Sequence, residues 1–142
     1  LNITGDLVSY LDNIVEKIVI ESFSTAKVNI GGDLHLERKI GNIISQKLAL
    51  KIYGSSEFTV AGNFNYIYNN SGGLELGHEI EVFNNASFTV DQNVNIGTLA
   101  GTGFSAIVSN AAQVDFGSLK IDMLGGLISN FTIGFYHVLL GC

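Results

Sequence analysis

Apolar and polar residues alternate across Lys27-Val28-Asn29-Ile30, pause at Gly31-Gly32-Asp33, and resume at Leu34. The same figure returns thirty residues later at Glu57-Phe58-Thr59-Val60-Ala61-Gly62-Asn63-Phe64, and thirty later again at Ser87-Phe88-Thr89-Val90-Asp91-Gln92-Asn93-Val94. Degenerate copies flank these, Leu1–Leu7 on one side and Gln113–Leu119 on the other, at spacings of 27 and about 25. Period-2 alternation predicts half-buried strands with one face inward. A recurrence of this size predicts a repeat architecture in which each unit covers its neighbour.

Aligned, the repeats form columns. Ile3, Ile30, Val60, Val90 and Phe116 precede the turn, and Leu7, Leu34, Phe64, Val94 and Leu119 follow it. Val28, Phe58, Phe88 and Val114 make a further apolar column before the turn, and Leu36, Tyr66, Ile96 and Ile121 one after it. The residues between are mostly polar: Asn29, Thr59, Thr89 and Asp115, then His35, Asn65, Asn95 and Lys120. The turns carry Gly, Asn and Asp, which supply the positive φ or the side-chain bond that a sharp corner needs. Stacked copies would also bring Asp33, Asn63 and Asn93 into one polar stack.

A second strand set fills each period: Lys47–Tyr53, Glu79–Phe83, Phe104–Val108 and Asn130–Phe135. The predicted fold is therefore all-β, a right-handed parallel β-helix (β-solenoid) of about four to five coils. The whole chain, 1–142, reads as one repeat domain with units of about 1–25, 26–55, 56–85, 86–110 and 111–142. One segment carries a rival pattern. Leu7, Tyr10, Leu11, Ile14, Val15 and Ile18 follow helical spacing behind Asp6 as an N-cap, so a helical cap over residues 7–19 stands beside the strand reading. The stretch 36–48 repeats this pattern more weakly through Ile40, Ile43 and Ile44.

The phrases Ser56–Tyr66 and Asn69-Asn70-Ser71-Gly72-Gly73-Leu74-Glu75-Leu76 resemble the filamentous-haemagglutinin-type repeats of large bacterial secreted exoproteins and adhesins. The resemblance spans about residues 26–135, and the thirty-residue period is longer than that family's usual unit. It implies a right-handed parallel β-helix serving as the stalk of a secreted or surface protein, with no catalytic residues to carry over.

Composition narrows the class. Of 142 residues 46% are apolar and 14% charged, enough to bury a substantial core. Seventeen glycines accompany abundant strand-forming residues, and proline is absent, as suits a chain committed to ladders that need every N–H. A formal net charge of −6 with only seven Lys and Arg argues against nucleic acid. No run of eighteen apolar residues predicts a spanning helix. Cys142 is alone, so no internal disulfide forms. The start, Leu1-Asn2-Ile3-Thr4, has neither a basic leader nor an initiator Met, and is read as a processed product or an excerpt.

The usual catalytic and phosphate-binding motifs are missing. Asp33, His35 and Glu37 alternate on one strand and could offer metal ligands, as could His78, Glu79, Glu75 and Glu81. Both sets read first as solvated strand faces, and no metal, cofactor or catalytic residue is assigned. Parallel β-helix enzymes need a maintained acidic column, which Asp33 followed by Asn63 and Asn93 does not supply. Thr59 and Thr89 align as an ice-binding face would require, but only two deep. Tyr66, Tyr68, Glu75 and Glu81 are the residues that would suit a glycan groove. Four Asn-x-Ser/Thr sequons, at Asn2, Asn69, Asn85 and Asn130, matter only on a eukaryotic secretory route.

The expectation is a non-catalytic structural segment of an extracellular or cell-surface bacterial protein, with adhesion as the associated activity. The alternative is a self-assembling subunit of an extracellular filament or sheath, and a glycan- or ice-binding solenoid is third. Expected partners are parent-chain repeats or identical subunits, joined end to end by extension of the ladder, and a host or matrix glycan or protein. The apolar stretch Phe131–Cys142 reads as a strand awaiting such a partner.

Overall fold

A computed structural model describes residues 1–11, 17–38, 47–69, 78–99, 104–108 and 113–124. Twelve strands follow in chain order: β1 (Asn2–Ile3), β2 (Leu7–Leu11), β3 (Lys17–Ser22), β4 (Lys27–Ile30), β5 (Leu34–Arg38), β6 (Lys47–Ile52), β7 (Glu57–Val60), β8 (Phe64–Asn69), β9 (His78–Val82), β10 (Ser87–Leu99), β11 (Phe104–Val108) and β12 (Gln113–Leu124). Every pairing is parallel, and no helix occurs among the described residues.

Strands pair across periods, not with their neighbours in sequence. β1, β4, β7, β10 and β12 lie side by side in that order. So do β2, β5, β8, β10 and β12, because β10 and β12 run through the corner and belong to both rows. A second sheet orders β3, β6, β9 and β11. This is the pairing of a β-solenoid-like fold, in which the chain returns to each sheet one strand further along.

The register matches the sequence columns. Ile3 faces Ile30, then Val60, Val90 and Phe116; Leu7 faces Leu34, Phe64, Val94 and Leu119. Between Val90 and Asn93 the pairing of β10 with β12 shifts, because β12 reaches the corner one residue sooner.

The core lies between the two sheets. Leu34, Leu36, Phe58, Val60, Phe64, Phe88, Val90 and Val94 come from one sheet and Leu48, Leu50, Ile52, Ile80 and Val82 from the other, all buried. Phe88 meets Phe58, Phe64 and Phe116 edge-on with ring centroids 5.5–5.8 Å apart, the favoured aromatic geometry. Tyr66 crosses the interior: its hydroxyl donates to the Leu48 carbonyl at 2.7 Å, tying β8 to β6. Fully burying one such aromatic is worth about 2–3 kcal/mol, so the columns dominate the stability of each unit.

The helical cap over residues 7–19 is corrected at both its ends, residues 12–16 lying outside the described ones. Leu7–Leu11 is strand β2 on β5, and Lys17–Ser22 is strand β3 on β6. Local spacing favoured a helix, but the neighbouring strands offer these backbone groups a ready parallel ladder, and tertiary pairing overrides intrinsic preference. Leu7, Ile18 and Ile20 pack on the core while Tyr10 stays outside, which a strand's alternation explains and a helical stripe does not. Residues 39–46 of the weaker helical pattern and the strand predicted at 130–135 lie outside the described residues.

Candidate functional site

The corners hold the most regular polar chemistry. After each pre-corner strand a short turn ends in Asp6, Asp33, Asn63, Asn93 or Ser118, and these side chains stack. The Asp33 N–H donates to Asp6 Oδ1 at 2.8 Å, and the Asn63 N–H to Asp33 Oδ1 at 2.7 Å. Asn63 Nδ2 also reaches Asp33 Oδ1, at 3.2 Å. Asn93 then donates through its N–H and Nδ2 to Asn63 Oδ1 at 3.3 and 2.9 Å, and Ser118 Oγ bonds Asn93 Oδ1 at 2.6 Å. The predicted stack of Asp33, Asn63 and Asn93 is present and extends one rung further each way.

These carboxylates come close to the backbone of the next corner, which explains the glycines there. A Cβ on Gly32 would sit 2.1 Å from Asp6 Oδ1, and one on Gly62 would sit 2.2 Å from Asp33 Oδ1. Both clashes are inadmissible, so the pairs Gly32-Asp33 and Gly62-Asn63 act as units. Two further amide pairs stack on the outer faces: Asn29 Nδ2 donates to Asn2 Oδ1, and Asn95 Nδ2 to Asn65 Oδ1, each at 2.8 Å.

A second set of corners joins each strand of the smaller sheet to the next pre-corner strand. Ser24, Gly54 and Asn84 occupy its left-handed position, with φ of 65°, 75° and 62°. Beside them Tyr53 and Phe83 stack at 5.5 Å and 17°. Ser56 Oγ is buried and donates to the Tyr53 carbonyl at 2.7 Å. This column was legible as Phe23-Ser24, Tyr53-Gly54 and Phe83-Asn84 at thirty-residue spacing, an aromatic followed by a residue tolerant of positive φ.

Against these corners lies a partly buried polar cluster. Lys51 Nζ meets Glu81 Oε2 at 2.9 Å, and the Tyr53 hydroxyl donates to the same carboxylate. Burial, then the hydrogen bond to Glu81, pushes the Tyr53 phenol from 10.0 up to about 12. Each group in the cluster has a partner within it, so the cluster pins neighbouring strands in register.

Among the described residues those suggested for chemistry do not converge, and the side chains of His78 and Glu79 lie outside them. Asp33 Oδ1 is engaged in the corner stack, while His35 Nε2 pairs with Glu37 Oε2 at 2.8 Å and lies edge-on to Tyr10. No group of three or more His, Cys, Asp or Glu poised to hold an ion occurs among the described residues. Of the residues suggested for a glycan groove, Tyr66 points into the core with its hydroxyl on Leu48, and Glu81 lies in the other sheet. Glu75 and the side chain of Tyr68 lie outside the described residues. Thr59 and Thr89 do pair in register, with Asn29 before them and Asp115 after, so the threonine array is two deep. The buried Arg38, in phase with Leu34 and Leu36 and engaged by neighbouring groups, gave no signal in the sequence.

No protein family, curated protein or solved structure matches the chain. What the geometry defines is an array: polar side chains satisfied by their equivalents one strand away, and apolar ones stacked inside.

Proposed function

We propose that this chain is a non-catalytic segment of a right-handed β-solenoid of four to five coils, serving as stalk or spacer in an extracellular bacterial surface protein or adhesin. One observation carries the reading: the corner stack from Asp6 through Asp33, Asn63 and Asn93 to Ser118 commits its polar groups to neighbouring rungs. A site for substrate or ion needs groups from different columns aimed at one point. Here each column repeats along the axis, which suits a part whose work is to hold distance. The resemblance of residues 26–135 to filamentous-haemagglutinin-type repeats supports the same role.

The test is replacement within the parent protein. Deleting residues 27–124 should reduce surface display or adhesion, and an unrelated solenoid of equal length should restore it. Failure of the substitute, with the parent protein displayed normally, would mean that this segment contacts a ligand itself. Antibody against the chain should label intact cells; labelling only after lysis would overturn the extracellular assignment.

A further inference from the structure

Two lysine–glutamate pairs bridge successive rungs, each directly opposed in register: Lys27 with Glu57 between β4 and β7, and Lys51 with Glu81 between β6 and β9. Both close at 2.9 Å. Their surroundings differ. The side chains of Lys27 and Glu57 are 67% and 53% exposed, those of Lys51 and Glu81 only 18% and 13%. The first pair is an ordinary solvated contact. The second holds two opposite charges largely out of water, where desolvation offsets much of their attraction.

The inner pair also has a third member. The Tyr53 hydroxyl donates to Glu81 Oε2, the same oxygen that Lys51 Nζ contacts. The Tyr53 ring is held by stacking on Phe83 at 5.5 Å and 17°, so its hydroxyl is fixed in place. Burial first, and the bond to Glu81 second, push the phenol up to about 12, and it keeps its proton throughout the neutral range. Beyond the pair, the register sets Glu21, which is exposed, on the far side of Lys51 and Ile107 on the far side of Glu81. An amine, a carboxyl carbon one bond from the contacted oxygen, and a proton donor on that oxygen therefore meet at one point. Glu57 has no such donor among the described residues.

We propose that Lys51 and Glu81 condense to an intramolecular isopeptide bond that ties β6 covalently to β9, with Tyr53 as the proton donor to the departing oxygen. The Lys51 ammonium passes one proton to the Glu81 carboxylate, and the freed Nζ attacks Cδ. The Cδ–Oε2 bond then breaks and the oxygen departs as water. Both protons of that water originate on Nζ; the phenol hands one over and takes one back. Oxidation states do not change, and water is the sole by-product. Two groups held in contact react with a large effective concentration. The product replaces two part-buried charges by one neutral amide, which costs less to keep from water. Strands joined in this way do not slide apart under tension, a property that suits the spacer proposed above.

Intact-mass spectrometry of the folded full chain, followed over time at neutral pH, is the test. The expected result is a mass lower by one water than the sequence requires. Trypsin then locates the link: a blocked Lys51 leaves Leu48–Lys120 as one peptide short of one water, where the open chain gives Leu48–Lys51 and Ile52–Lys120. Lys51→Arg, which keeps the ion pair, and Glu81→Ala should each show the full mass of their own sequence. Tyr53→Phe keeps the ring and loses the proton donor, so the linked form should appear about a hundredfold more slowly. Lys27 should stay cleavable in every sample, since its pair is solvated. Full sequence mass in wild type that circular dichroism shows to be folded overturns the proposal. A lost water that persists in Lys51→Arg places the dehydration elsewhere and overturns it as well. Equal rates in wild type and Tyr53→Phe overturn the role given to Tyr53.

Discussion

Asp33 and Asn63 are thirty residues apart in sequence and one strand apart in space, joined by two hydrogen bonds to a single carboxylate oxygen. The side chain of one corner thereby satisfies the backbone of the next, a task that falls to solvent or to a cap in most turns. Replacing Asn63 by Ala removes the bond from its amide to Asp33 and the acceptor used by Asn93. A loss of about 1–3 kcal/mol is expected, at about 1 kcal/mol per bond, and urea denaturation should show it as a lower midpoint at unchanged slope.

Val60 lies fully buried in the second of the inner columns. Val60→Asp places a charge among Ile30, Val90 and the phenylalanines, and an isolated charge there costs more than a marginally stable domain can absorb. The variant should show no cooperative melting transition by circular dichroism. A wild-type melting curve would refute the column alignment itself.

Gly54 sits at φ +75° with the Ser24 backbone close by; an added Cβ would come within 2.8 Å of the Ser24 carbonyl oxygen. Gly54→Val should therefore cost several kcal/mol, about 1–2 from the left-handed backbone alone and more from the clash. Ser24→Gly, at the equivalent and exposed corner, should be neutral or stabilising by up to about 1 kcal/mol, since it relieves a positive φ. Thermal melts of the pair should move in opposite directions or show Ser24→Gly unchanged.

Tyr53 links structure to pH. Its folded phenol titrates at about 12 against 10.0 for an unperturbed one, first because it is partly buried and then because it donates to Glu81. The folded state holds the proton more tightly, so this contribution is complete below pH 10 and is lost as pH rises from 10 through 12. Chemical denaturation should show stability falling across that window, and Tyr53→Phe should flatten this fall while lowering stability at neutral pH.

The sequence disclosed the columns because stacking puts like residues over like: Ile3, Ile30, Val60, Val90 and Phe116 are aligned by pattern and paired by register. Strand β3 was obscured because Leu7–Ile18 also satisfies helical spacing, and only the neighbouring strands decide between the two. Tyr66 illustrates the other gap. Its column placed it inward, yet its hydroxyl suggested a surface role until the Leu48 carbonyl was found opposite it. Arg38 shares the inward phase of Leu34 and Leu36, and alternation alone does not say that a charged residue will follow it into the core. The corner at Ser24, Gly54 and Asn84 was available to inspection, but φ is a property of backbone that composition only hints at.

The shift between Val90 and Asn93 lets β12 arrive one residue early and still restore every apolar column beyond the corner. Phase is therefore kept by the strands, and length is free to drift where the chain bends. A gene encoding such a protein tolerates errors of very unequal size in an inverted order. Excising a full period and joining Ser56 to Ser87 would leave a shorter molecule with its pattern unbroken, whereas losing a single residue within β7 would turn its inner side chains out to water. Duplication and deletion by whole periods are thus the cheapest heritable changes open to this chain, and its reach can be tuned in steps of one strand spacing, about 4.8 Å.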